Sequence, residues 1–145
     1  MKYVILFFIL LSINCSATQV KDNNCKSPLS STGIALMDDM FNNMGVDPNS
    51  IDKEKIRTEL LYNEPVSEAL ARHYALERYR ANPDKWLSVK DYMNIYSESH
   101  PENLIIKFSI RNKTGQESIF LVSAIANDYE CGVRYNGYII VKREF

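Results

Sequence analysis

Along the chain the apolar positions change period once, near Pro101. Before it they recur every three or four residues; after it they alternate, which predicts helices followed by strands. Ser31 or Thr32 can cap a first helix whose apolar face is Ile34, Met37, Phe41 and Met44, with Gly45 as its stop. Asp47 with Pro48, or Ser50, opens a second helix running toward Glu64, with Ile56 and Leu60 one turn apart as its buried stripe. Pro65 opens a third, whose face carries Val66, Ala69, Leu70, His73, Tyr74 and Leu76. Asn82 and Pro83 start a fourth, with the stripe Trp86, Val89, Met93 and Tyr96, and Ser88 with Asp91 has the form of a capping box.

Beyond Pro101, Leu104, Ile106, Phe108 and Ile110 alternate with Ile105, Lys107, Ser109 and Arg111, the pattern of a half-buried strand. The NKTG stretch at 112–115 supplies a turn, and ESIFLVSAIA at 117–126 is apolar on both faces, as a central strand should be. Asn136-Gly137 then predicts a two-residue hairpin between YECGVRY and YIIVKREF, because such a turn needs positive φ at both centres. In that register Tyr135 faces Tyr138, Val133 faces Ile140 and Cys131 faces Lys142. The sum is an α+β fold: about four N-terminal helices layered on one side of a C-terminal four-stranded antiparallel meander.

The extreme N-terminus belongs to a different class of segment. Residues 3–13, YVILFFILLSI, follow a single Lys2 and precede small and polar residues, the layout of a secretory signal. The run is shorter than the about 20 residues a membrane-spanning helix requires. Cys15, Ser16 and Ala17 supply the small residues before a cut, which makes 1–17 a signal peptide, 18–29 an N-terminal extended segment and 30–145 a single α+β domain. A lipid-modified Cys15 is the rival reading, although Asn14 and Ser12 depart from that pattern. Either cut leaves Cys25 and Cys131 to pair, and an exported chain meets an oxidising compartment, so one disulfide in a periplasmic or secreted protein is expected. Closing a loop of about 100 residues disfavours the unfolded ensemble by about 4 to 5 kcal/mol on the chain-entropy model.

Charge and motif content then narrow the function. With 17 basic and 18 acidic residues the chain lacks a nucleic-acid footprint. The cysteine spacing excludes a CxxC centre and a cysteine-based zinc site, and DPNSIDKEK lacks the central glycine of a calcium loop. No serine stands in GxSxG. Only two histidines exist: His73, four residues before Glu77 on one helical face, and His100, at the helix-to-sheet junction. Two ligands are too few for a metal, so no catalytic residue, cofactor or metal is assigned.

Nine tyrosines are present, and Tyr92, Tyr96, Tyr129, Tyr135 and Tyr138 fall in the last helix and the closing strands. Such amphipathic rings favour protein interfaces, which makes these five the candidate partner-binding residues. Asn112-Lys113-Thr114 forms a glycosylation sequon. Together these features point to an exported non-catalytic module that binds another extracytoplasmic protein, as an inhibitor or immunity protein or as an accessory factor of a pilus or secretion system. Two alternatives stand beside it. One is a small secreted hydrolase with His73 as base and Glu77 orienting it; the other is a lipid or small-ligand carrier with an apolar cavity under Trp86 and Phe108.

Overall fold

The structure is a computed structural model that describes residues 24–82 and 86–145. The expected signal peptide, Cys15, the expected cut before Thr18 and the expected helix start at Pro83 lie outside the described residues. The described chain is α+β, with a four-stranded antiparallel sheet in the order β1-β2-β3-β4. Its principal elements are α1 (Ser31–Asn42), β1 (Arg57–Pro65), α2 (Glu68–Ala81), α3 (Val89–Ile95), β2 (Glu102–Arg111), β3 (Glu117–Ala126) and β4 (Arg134–Lys142). These are three helices rather than about four.

β2 and β3 form the centre of the sheet and follow their sequence pattern. Leu104, Ile106, Phe108 and Ile110 are buried and pair in register with Ala124, Val122, Phe120 and Ser118, so both strands line the same core face. α1 covers that face. Ser30 caps the helix by accepting from the Gly33 amide at 3.2 Å. Its buried side is Thr32, Gly33, Leu36 and Met40, rotated from the expected stripe, and Ile34 is 50% exposed. The rotation is fixed by close approach: a Cβ on Gly33 would lie 2.4 Å from the Pro28 carbonyl oxygen, and the Thr32 hydroxyl donates to the Cys131 carbonyl at 2.6 Å. Each large apolar side chain in this cluster contributes about 1.5–3 kcal/mol relative to exposure.

The expected second helix is instead two short 3₁₀ turns, Pro48–Ser50 and Lys53–Lys55, followed by strand β1. Two apolar residues one turn apart, Ile56 and Leu60, fit a helix, but Thr58 and Leu60 also alternate with Arg57 and Glu59. The free edge of β2 selects the extended form by offering Arg57–Pro65 partners from Ser109 to Glu102, with only Leu61 bulged out of the ladder. Pro65 therefore ends an edge strand, where a missing donor is tolerated, rather than opening a helix. α2 begins after Ser67, which accepts from the Leu70 amide at 3.3 Å.

Helices α2 and α3 form a separate hairpin. Ala71, Ala75, Tyr92 and Tyr96 make a second cluster with Ile125. Ile125 is flanked by Ala124 and Ala126, so the pleat points it to the other face of the sheet. The helices thus lie on both faces rather than on one side. The capping box at α3 forms as the sequence predicts, with Ser88 and Asp91 bonded reciprocally. Trp86 is not part of the buried stripe; it is 84% exposed.

The Asn136-Gly137 hairpin is also replaced. Arg134–Lys142 is one strand paired to β3, with Tyr135 opposite Ala124, Tyr138 opposite Val122 and Ile140 opposite Phe120. Asn136 is the extra residue of a bulge between the Ser123 and Ala124 pairs, and Gly137 supplies φ +97°. The conformational freedom that makes Asn-Gly a turn signal serves here inside a strand. YECGVRY cannot form the expected strand because Cys131 is held elsewhere: it is bridged to Cys25 across 106 positions, with a Cα–Cα distance of 4.9 Å. Among the described residues, no helix is long and apolar enough to cross a membrane.

Candidate protein-binding surface

The sheet has two edges, built from different residues. On β1 the exposed residues are Arg57, Glu59, Leu61, Tyr62, Glu64 and Pro65, so charges and a proline flank the apolar pair, and a register shift at Leu61 interrupts the ladder. Charges, proline and bulges are the usual devices that keep an edge from recruiting a further strand. On β4 the segment Tyr138–Val141 carries neither charge nor proline. Ile139 is 67% exposed, and Ile140 and Val141 are exposed beside it. Bulges at Asn136 and Val141 leave Gly137–Ile140 as the regular part of this edge.

Three of the five tyrosines lie on or next to β4. Tyr135 and Tyr138 share the core-side face because the bulge shifts the pleat between them. Tyr135 is half-buried and donates to Asp39 Oδ2 at 2.9 Å. Burial first, and then the bond to the Asp39 carboxylate, push its hydroxyl well above the ordinary phenol range. The Tyr138 ring stands edge-on to Phe120, with centroids 5.9 Å apart. Tyr129, in the loop before Cys131, is 85% exposed. Tyr92 and Tyr96 are buried in the α2–α3 cluster, and the Tyr92 hydroxyl accepts from Asn82 Nδ2 at 2.7 Å.

On α2, Glu77 is engaged by a residue of β4. Glu77 Oε2 accepts from Arg134 Nη2 at 2.7 Å, and that guanidinium lies 4.4 Å from the centre of the Tyr74 ring. His73 is exposed, with its ring tilted against Tyr74 at 5.5 Å. The other histidine has a carboxylate partner, with His100 Nδ1 2.7 Å from Asp128 Oδ2. Ser99 and His100 both adopt positive φ just before Pro101, and the Asp128 amide donates to the Ser99 carbonyl at 3.1 Å, so both groups of Asp128 grip this bend. Among the described residues, no group of three or more potential ligands is placed to hold a metal ion.

Phe108 is fully buried while Trp86 is exposed, and the apolar space lies elsewhere. A groove of about 590 Å³ runs along the outer side of α1, lined chiefly by Leu29, Ile34, Met37, Phe41, Ile51 and Ile56. The exposed Ile139–Val141 run and the Ile34 side of this groove are the surface features that the sequence pattern did not single out. Alternation reads the first as a hairpin strand, and helical spacing reads the second as a buried stripe. In the cysteine bridge, by contrast, the residue types and their number sufficed. Neither a protein-family model, nor a curated protein, nor a solved structure matches the chain.

Proposed function

We propose that the protein is an exported, non-catalytic module that binds another protein outside the cytoplasm, as an inhibitor or immunity protein or as an accessory factor of a surface assembly. The observation that carries this reading is the uncharged, exposed Ile139–Val141 run on an edge strand, with Tyr138 beside it and Tyr129 in the preceding loop. A strand edge binds through its main chain and gains selectivity from alternate side chains. Support for the compartment comes from the Cys25–Cys131 bridge, since structural disulfides persist where the surroundings are oxidising.

The engagement of Glu77 by Arg134 competes with any role in orienting His73, which weighs against the hydrolase reading. Affinity purification from the native compartment tests the proposal. A partner recovered with the wild-type chain and lost with Ile139→Lys is the expected result. No partner, together with a turnover that His73→Ala abolishes, rejects it. The α1 groove favours one second reading, a carrier of a small apolar ligand, because its volume lies in the range of ordinary ligand sites.

A further inference from the structure

We propose that the open edge of β4 takes the same strand of a second copy of this chain, antiparallel and centred on Ile139. The inference rests on β4 being a binding edge and names one occupant for it. A two-fold axis through Ile139, normal to the sheet, sets Ile139 against its own counterpart and Ile140 against Tyr138. It also sets Lys142 against Asn136 and Arg143 against Tyr135, and brings Glu144 across from Arg134. No like charges are opposed in this register. An axis at Tyr138 would place Lys142 against Arg134, and a parallel copy would set Lys142 and Arg143 against themselves, and like charges directly opposite are destabilising. Charge thus disfavours the parallel copy and an axis at Tyr138, and of the remaining positions Ile139 lies nearest the centre of the regular Gly137–Ile140 segment.

The two faces of the sheet also continue across such a joint. Ile139 pairs with Leu121 on the face away from α1, and Ile119 and Leu121 there are only partly covered. Two copies would extend this apolar strip into an eight-stranded sheet with the paired β4 strands at its centre. An isologous contact of this kind closes on itself and stops at a dimer. The regular ladder is short, so the contact falls below the about 800 Å² per partner of a standard interface and gives a weak, concentration-dependent dimer.

Sedimentation velocity on the disulfide-bonded chain, from low to high micromolar concentration, tests this. The expected result is a monomer that becomes a dimer on concentration, weakened at least about tenfold by Ile139→Lys and unchanged by Trp86→Lys. Because residue 139 lies on the axis, Ile139→Cys should cross-link into a covalent dimer, whereas Leu61→Cys on the β1 edge should not. A chain that stays monomeric throughout, or a dimer that Ile139→Lys leaves intact, overturns the proposal. A monomer that still loses a foreign partner on Ile139→Lys overturns self-pairing while leaving the protein-binding reading standing.

Discussion

The two buried clusters of this molecule are built on different scales. The cluster under α1 joins Leu36 and Met40 to Phe108, Phe120, Ile106 and Val122, all fully buried or nearly so, and includes the bridged Cys25. The cluster between α2 and α3 rests on two alanines, two tyrosines and Ile125. Fewer residues are buried in it, and much of its order comes from local devices: the Ser67 cap, the Ser88–Asp91 box and the Asn82–Tyr92 bond. One region is held by long-range apolar packing, and the other is a satellite held by caps and polar bonds. Regions with few buried apolar contacts open at lower free energy than the global unfolding.

The strongest way to break this contrast is to empty the larger cluster. Phe108→Ala should cost about 3–5 kcal/mol and lower the thermal midpoint of the whole domain. Equal loss from Tyr92→Ala would mean that the two clusters are one cooperative unit. Removing the bridge by Cys25→Ala with Cys131→Ala should cost about 2–5 kcal/mol in denaturant titrations, again felt by the whole molecule. A smaller effect sharpens the comparison from the other side. Ser88→Ala should cost about 1 kcal/mol, seen as faster amide exchange in α3 with the β2 and β3 amides unchanged.

The smallest effect is one of pH. Hydrogen bonds from the Ser88 hydroxyl and amide, at 2.6 and 2.7 Å, hold the Asp91 carboxyl below the usual carboxylate range. The folded hairpin therefore favours the charged form. Its contribution is complete above the unfolded carboxylate value near about 4, and it is lost as pH falls through the lower folded value. Protection of the α3 amides, relative to their intrinsic exchange rates, should fall in that acid window, and Asp91→Asn should remove the dependence.

How much of this was legible in the sequence follows the same division. β2 and β3 announce themselves because alternation and burial coincide at Leu104, Ile106, Phe108 and Ile110. The α3 capping box and the cysteine pair are legible because few residue types can make them. β1 is not, since Leu60 fits both periods and only the free edge of β2 decides between them. Asn136-Gly137 misleads because positive φ serves a bulge as well as a turn. Which face of α1 turns inward depends on Gly33 meeting Pro28, a contact with no periodic signature. For the candidate surface, tyrosine enrichment marks the neighbourhood of β4 but not the aliphatic run that is exposed there. Tyr92 and Tyr96 share the same residue type and end up inside.

The bridge from Cys25 to Cys131 also divides the chain topologically. α1, β1, α2, α3, β2 and β3 all lie within one covalent ring, and β4 with the C-terminal residues hangs outside it. Under mechanical load on the C-terminus, β4 peels from β3 while the ring limits further extension, so the strand we propose as a binding edge is also the one the molecule can surrender without unravelling.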